Sequence, residues 1–420
     1  MAVDRGQTIT VNGVQTNASI SVGWNDTSFT GTLTSLVIGP ANLGSSSNIS
    51  AIEVDGVILK NLILPKGPPR PSTFNPFNTD INTVRGQETG YATWNPLRIG
   101  GTVTLSDGEQ LEFDKLVLAT GAVPRTLPST EGLANVFVLR QPDDATAIRA
   151  TARVANSAVI IGGGYIGLEV AASLRKLGLE VSVVEMANRL LARVASPPVA
   201  ELLNDLHVEH GVSVYTGVGV NKILNSDGKF TGVTLADGSS LNGDMLIVGI
   251  GVIPDSKLAQ QAGVETERDD GGAILVNSLM QTSNPDIIAM GDVALQRGHD
   301  LRIESVHNAQ DTAARAAASI MCQSPPRDQA PWFWSDQYDA NLQSVGIVPT
   351  GDDEIYQVRR IGENKRSVSF WSYRGKDLIA IEAVRDSKNF MLGKKCLENN
   401  FSPDPKRISD PNYDPSLEMG

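Results

Sequence analysis

Three glycines and one carboxylate are the residues of this chain best spaced to do chemistry. In SAVIIGGGYIGLEVAASLRKLGLEVSVVE, residues 157–185, the order is Gly162-x-Gly164-x-x-Gly167, and Glu185 follows 18 residues after Gly167. Gly162 permits a tight turn, Gly164 lets backbone approach a pyrophosphate, and Gly167 lets a helix lie close on a strand. The free N–H groups and partial positive charge at that helix start attract phosphate. A carboxylate at Glu185 accepts from a ribose 2′-hydroxyl and repels a 2′-phosphate, which favours NADH over NADPH. Arg189 is the nearby cation able to reverse this preference, and it is expected to face solvent.

Such residues work only if a βαβ unit positions them. The apolar runs Ala158 to Ile161 and Val181 to Val184 read as buried parallel strands, with a helical pattern between them. A glycine-rich turn alone fits many α/β domains. Strand, helix, second strand and terminal acid together specify dinucleotide binding.

The bulk numbers bound the remainder. At 420 residues the chain can form two or three domains, and its 41% hydrophobic content is that of a globular protein. No run of about 18 apolar residues predicts a transmembrane helix. The opening MAVDRGQTIT does not read as a secretory signal. Cys322 and Cys396 form no CxxC pair, and the four histidines lack metal-ligand spacing, so no metal site is expected. Both thiols should be free in a reducing cytoplasm. The net charge of −12 argues against nucleic acid as a partner, and no membrane association is expected.

Residues 1–100 differ in kind. They are rich in Thr, Ser, Asn and Gly and carry six basic and six acidic residues. Short β-like runs alternate with turn signals, and Ile49 to Leu59 reads as a hairpin about Asp55-Gly56. The reading is an all-β segment. Its phrases ISAIEVDGVIL and FNPFNTDINTVRGQETGYATWNPL resemble β-sandwich segments of phage virion or tail-associated proteins.

From Thr102 onward the pattern is α/β. A hairpin turns at Asp107-Gly108, and residues 114–120 (DKLVLAT) form a buried strand. A helix is expected over 143–153, and another over 198–210. Strands turn at Asp227-Gly228 and Asp237-Gly238, and residues 244–251 (DMLIVGIG) form a further buried strand. In TSNPDIIAMGD, residues 282–292, a turn at Asn284-Pro285 leads into a strand that ends at Gly291-Asp292. Residues 305–321 form an Ala-rich helix. A Pro-rich linker, 324–331, precedes PWFWSDQYD, strands through Val384, a short helix and a Pro- and Asp-rich tail.

Four passages in this order, LVLATGAVPR, GGGYIGLEVA, TSNPDIIAMGD and PWFWSDQYD, resemble the FAD-dependent pyridine nucleotide reductases. Within them the likeness is to the ferredoxin and rubredoxin reductases of oxygenase electron-transfer chains, and it covers about residues 102–420. The resemblance implies a Rossmann-like NADH domain (143–268) inserted in a truncated FAD domain (101–142 and 269–324). A C-terminal α/β cap (325–420) follows. It implies FAD and NADH as cofactors and a small acidic iron–sulfur ferredoxin, or a rubredoxin, as electron acceptor. By likeness, Thr120, Gly121, Gly291 and Asp292 contact FAD. Tyr165, Ile166, Gly251, Ser305 and Val306 are further cofactor-binding candidates beside Gly162, Gly164, Gly167 and Glu185. Trp334 lies near the flavin ring and Glu169 on its NADH side, and these two are the candidate catalytic residues. His307 stands where relatives commonly carry Gln. Without the resemblance, Asp292 reads as a helix N-cap, Trp334 as core packing, and Glu169 as an exposed first-turn acid.

The cysteine count narrows the reaction. With no redox cysteine pair, electrons cannot pass from a flavin to a dithiol in this chain. Hydride from NADH to FAD, then single electrons to an outside carrier, is the remaining logic. Between Arg359 and Lys395 there are ten basic and four acidic residues, a candidate patch for steering an acidic partner. One departure stands against the resemblance: no strand, GxGxxG and helix open the chain to cradle the FAD pyrophosphate. In LVIGPANLG, residues 36–44, Ala41 replaces the middle glycine and Pro40 occupies the turn. The alternative is therefore a fusion or vestigial chain that binds NADH but lacks a working FAD site.

Overall fold

The computed structural model describes residues 7–11, 14–16, 36–40, 48–54, 57–63, 101–268, 271–348, 354–364 and 366–419. The chain divides into two units, Met1–Trp94 and Asn95–Gly420. The described residues of the first unit are strands β1 (Gln7–Val11), β2 (Val14–Thr16), β3 (Leu36–Pro40), β4 (Asn48–Val54) and β5 (Val57–Ile63). They pair antiparallel as β2-β1-β3 and as the hairpin β4–β5. Val54 pairs with Val57, which leaves two residues between the strands, as the hairpin reading requires. The passage 74–97, with its virion-like phrase, lies outside the described residues.

The second unit opens with the hairpin β6 (Gly101–Thr104) and β7 (Gln110–Phe113). Strands β8 (Leu116–Leu118), β9 (Ala122–Pro124) and β10 (Val136–Phe137) follow, then helix α1 (Pro142–Ala152). Its start is closed by a capping box in which Asp144 accepts from the Gln141 N–H at 2.7 Å. Next come β11 (Ser157–Ile161), α2 (Tyr165–Lys176), β12 (Glu180–Glu185), α3 (Pro197–Glu209) and β13 (Val212–Thr216). An antiparallel layer of β14 (Val220–Ser226), β15 (Lys229–Leu235) and β16 (Ser240–Asn242) precedes the fully buried β17 (Met245–Val248).

These strands make the parallel sheet β10-β17-β11-β12-β13, the doubly wound form expected of a βαβ nucleotide domain. Ile160, Val183 and Ile247 bury one face under α2 and α3, while Val159, Val184 and Leu246 bury the other under the β14–β16 layer. That two-sided burial is why these runs are apolar without alternation.

Beyond it lie β18 (Val252–Pro254), α4 (Lys257–Gln261), β19 (Thr266–Arg268), β20 (Gly271–Val276), β21 (Ile287–Ala289) and β22 (Ala294–Gln296). Strand β21 pairs parallel with β8, although 168 residues separate Leu118 from Ile287, so the nucleotide domain is an insertion between the two. Helix α5 (Val306–Ile320) packs behind their ends, capped by Ser305, which accepts from the Asn308 N–H at 3.1 Å. The last portion is the antiparallel sheet β23-β24-β27-β26-β25, with α6 (Ser387–Glu398) on one face. Its strands are β23 (Trp332–Gln337), β24 (Ala340–Gly346), β25 (Ile355–Ile361), β26 (Val368–Arg374) and β27 (Asp377–Val384).

This sheet is buried on both sides. Val345, Trp371 and Ile381 pack toward α6 and the tail, while Leu342, Phe370 and Val384 join the core of the nucleotide domain. Glu382, two residues from Val384 and on the same face, is fully buried there. Its Oε1 accepts from the Ser196 N–H at 3.0 Å, while its Oε2 has no hydrogen-bond partner among the described residues. Among the described residues, no helix is long and apolar enough to cross a membrane.

Glu382 gives the fold a pH signature. Burial lifts its carboxyl to about 7, against hydrogen bonds from Ser196 that pull it down. Unfolded, a Glu titrates near ~4.3. The folded state therefore holds an extra proton between these values. Its stabilising effect is complete below the lower value and is lost as pH rises through the upper one. At roughly 1.4 kcal/mol per pH unit, the loss is on the order of 4 kcal/mol. Glu382→Gln should remove that slope, and its thermal midpoint should exceed that of the unmodified protein at pH 8 by more than at pH 5. Equal differences at the two pH values would contradict this.

Candidate functional site

The carboxyl ends of β11, β12 and β17 meet the start of α2. A Cβ at Gly162 would stand 2.2 Å from the Gly249 carbonyl oxygen, and the residue's φ of +112° is one that L side chains rarely adopt. A Cβ at Gly167 would stand 2.1 Å from the Gly162 oxygen. Both positions therefore require glycine if strand and helix are to touch. Gly164 is different: a Cβ there meets nothing within 4 Å. Its open side is where a pyrophosphate would approach. Helix α2 starts without a side-chain cap, unlike α5 and α6, so its first N–H groups are available to such a ligand.

Glu185 closes the glycine loop. Its Oε2 accepts from the Gly163 N–H and its Oε1 from the Ala187 N–H, both at 2.7 Å. A carboxylate has about four acceptor positions, so a ribose hydroxyl can still be accommodated. Arg189 departs from expectation. It does not face solvent but is half-buried, donating to the carbonyls of Leu190, Leu191 and Ala192 at 3.1–3.3 Å. A guanidinium turned onto these dipoles is drawn away from a 2′-phosphate.

The same loop is braced by the Leu191 N–H, which donates to the Gly163 oxygen at 2.9 Å. Tyr165 reaches the Val194 oxygen at 3.4 Å and packs edge-on against Phe333, with ring centroids 4.8 Å apart. Burial first, then Glu382 and Glu169, hold its phenol far above the ordinary range. Ile166 is exposed beside it. Gly251 lies across the loop, its carbonyl accepting from the Arg125 N–H at 2.9 Å.

A second group gathers at the ends of β8 and β21. Thr120 donates to the Asp255 oxygen at 2.6 Å, and the Gly121 oxygen accepts from the Asp255 N–H at 3.0 Å. The Gly291 N–H donates to the Thr312 hydroxyl at 3.0 Å. Asp292 sits in a short 3₁₀ turn, not as the cap of a long helix. It faces Arg140, whose Nη2 is 3.5 Å from Asp292 Oδ2 and 3.0 Å from where a Gly121 Cβ would be.

Arg140 was not singled out by sequence reasoning, because an Arg before Pro142 carries no motif. The signal was only its position at the end of the run VFVLR. A carboxylate held loosely by a cation beside exposed turns fits the polyol and phosphate of a flavin nucleotide.

A third group lies along α5 and β23. Ser305 caps α5 and Val306 is exposed. His307 lies 5.5 Å from the Trp332 ring, which lies 5.6 Å from Trp334. Trp334 is 42% exposed, so it is not core packing. Glu169 on α2 is not an exposed first-turn acid: it is half-buried and accepts from the Ser335 hydroxyl at 2.6 Å. Burial raises its carboxyl, the Ser335 bond lowers it, and Asp336 raises it again.

The basic stretch from Arg359 to Lys395 is less free than its count implies. Arg360 is buried and donates to the carbonyls of Ile408, Asp410, Pro411 and Tyr413. Arg366, Arg385, Lys388 and Lys394 pair with Glu209, Asp339, Glu363 and Glu398. At least five of the ten cations are therefore engaged within the chain, while Arg359 is exposed. Cys396 is buried and its thiol is raised to about 12 by burial, whereas Cys322 is exposed.

Residues 47–313 match the family model described as pyridine nucleotide-disulphide oxidoreductase, and residues 332–415 match the reductase C-terminal model. The first match begins inside the segment whose sequence resembles virion β-sandwiches. Putidaredoxin reductase CamA of Pseudomonas putida is 40% identical, over 76% of this chain and 79% of its own length. Rhodocoxin reductase of Rhodococcus erythropolis is 35% identical, over 75% of this chain and 73% of its own. Among solved structures, a ferredoxin reductase from Rhodopseudomonas palustris superposes with a TM-score of 0.71 at 37% identity, covering 76% of this chain and 79% of that one. The covalent putidaredoxin reductase–putidaredoxin complex gives a TM-score of 0.69 at 38% identity, with 74% and 75% covered.

Two glycine variants separate the loop's duties. Gly164→Val should leave the thermal midpoint nearly unchanged yet weaken NADH binding tenfold or more, because its Cβ enters ligand space. Gly167→Ala should lose about 1–3 kcal/mol of stability, because its Cβ meets a carbonyl. Calorimetric melting and fluorescence titration with NADH measure both. A Gly164→Val protein that binds NADH normally would contradict the placement.

Proposed function

The chain belongs to the pyridine nucleotide-disulphide oxidoreductase family, and from that premise we propose that it takes electrons from NADH and passes them through FAD to a small acidic iron–sulfur ferredoxin, or a rubredoxin, of an oxygenase system. The observation that carries this reading is the Ser335–Glu169 hydrogen bond. It fastens β23, and with it the exposed Trp334, to the helix that begins the dinucleotide loop. Relatives that support the acceptor class are the putidaredoxin and rhodocoxin reductases and the reductase component of the p-cumate 2,3-dioxygenase system.

The residues divide the work as follows. Gly162, Gly164 and Gly167 with the free start of α2 seat the NADH pyrophosphate, Tyr165 and Ile166 wall the pocket, and Gly251 lines its far side. Glu185 orients the ribose and discriminates against a 2′-phosphate. Thr120, Gly121, Arg140, Gly291 and Asp292 hold the FAD polyol and phosphate, and Ser305, Val306 and Trp334 flank the flavin edge. When bound, FAD supplies the conversion of a two-electron hydride into single electrons. Glu169 orients the nicotinamide face, and no side chain need act as nucleophile.

In this reading 143–268 is the NADH domain, 101–142 with 269–324 the FAD domain, and 325–420 the reductase cap. The reducing cytoplasm is its setting, consistent with an exposed Cys322 thiol. Disulfide reduction is disfavoured, since Cys396 is a buried, inert thiol and pairs with nothing.

A second reading is an NADH-binding chain without a working FAD site. It is favoured by the parallel pair β8–β21, which has two strands among the described residues where a nucleotide domain has more.

Steady-state reduction of an acidic iron–sulfur ferredoxin tests the first reading. NADH should support it at least tenfold better than NADPH. With so many cations of the basic stretch paired internally, the rate should fall only a few-fold between low and physiological salt. NADPH serving as well as NADH would contradict the role of Glu185.

A further inference from the structure

Glu169 does not end at Ser335. Four hydrogen bonds run in series from the α3–β23 contact to its carboxylate. Tyr338 Oη lies 3.4 Å from His207 Nδ1, and His207 Nε2 lies 2.8 Å from Gln337 Oε1. Gln337 Nε2 donates to Ser335 Oγ at 3.1 Å, and Ser335 Oγ donates to Glu169 Oε1 at 2.6 Å. His207, Gln337 and Ser335 are each at most 1% exposed, so water is excluded from the chain's middle.

The proton direction follows from donor capacity. A carboxylate only accepts, so the single hydroxyl proton of Ser335 goes to Glu169, and Ser335 can only accept from Gln337. The Gln337 amide then presents its nitrogen to Ser335 and its oxygen to His207. His207 must donate from Nε2, which leaves Nδ1 to accept from Tyr338. Turning the amide over would leave Ser335 facing two acceptors with one proton.

The groups at each end suit this order. Burial lowers His207, with His210 adding to the effect, so the ring is neutral. Burial raises the Tyr338 phenol to about 12 against the pull of Arg175, so it keeps its proton. Lys176 sits over the Tyr338 ring, and Asp336 and Tyr165 are the other titratable groups near Glu169.

We propose that Ser335, Gln337 and His207 are positioning residues that hold Glu169 as an oriented carboxylate through a hydrogen-bond chain with a single proton direction. The proposal rests on the reading that places Glu169 at the nicotinamide. The chain also ties α2, α3 and β23 together, so the carboxylate's orientation depends on the C-terminal sheet being docked.

The test is a carbon-13 NMR titration of the Glu169 carboxyl in the full chain, assigned with Glu169→Gln, alongside NADH titrations of the same proteins. Ser335→Ala should raise the Glu169 midpoint by about one pH unit and weaken NADH binding about tenfold. Ser335→Thr, which keeps the hydroxyl, should restore both. Gln337→Glu keeps shape but sets a second acceptor against Ser335, and should also raise the midpoint. Thermal midpoints within a few degrees would show that packing is not the cause. An unchanged Glu169 midpoint in Ser335→Ala and Gln337→Glu would overturn the proposal. Unchanged NADH binding in Glu169→Gln would overturn only the placement of Glu169, and the NMR result would still decide the chain.

Discussion

A Cβ on Gly167 would stand 2.1 Å from the Gly162 carbonyl oxygen, and the helix can lie on the strand only because that side chain is absent. The remainder of the nucleotide site depends on this approach. It brings the first N–H groups of α2 to the end of β11, and it sets Gly163 where the Glu185 carboxylate can accept from it at 2.7 Å. The loop after β12 is fixed in turn, with Leu191 donating to the Gly163 oxygen and Arg189 folded onto its own carbonyls. One close contact thus fixes the glycine loop and the carboxylate that closes it, with Arg189 turned onto the carbonyls of its own turn.

The helix has a second commitment. Its Glu169 and Tyr165 meet the C-terminal sheet, through Ser335 and Phe333 respectively. Glu382, from the same sheet, holds the Ser196 N–H at the entry to α3. The C-terminal sheet is therefore joined directly to the helix that begins at the glycine loop. Burying a carboxylate with one unpartnered oxygen costs stability unless it is protonated. Its bond to the Ser196 N–H joins the two layers at this point.

Much of this was legible in the sequence because it rests on local rules. The glycine spacing, the unbroken apolar runs of β11, β12 and β17, and the antiparallel pairing of β4 with β5 all follow from short-range geometry. The parts that were not legible are those that depend on long-range pairing. Arg140 meets Asp292 from 152 positions away, and Ser335 meets Glu169 from 166. No spacing rule reaches that far. The charge count between Arg359 and Lys395 could not separate free from engaged cations for the same reason, since a sequence cannot show that Arg360 is buried among carbonyls of the tail. Arg189 was misjudged because exposure was inferred from residue type, whereas the turn offers it three carbonyl acceptors.

The proposed route from the nucleotide loop to electron transfer runs through the residues at the ends of β8 and β21. The most direct measurement is an anaerobic titration of the purified chain, incubated with FAD and freed of excess, followed by visible absorbance. The account predicts that the protein retains flavin and that an equimolar amount of NADH bleaches it. A colourless protein, or one whose flavin absorbance NADH leaves unchanged, would contradict it.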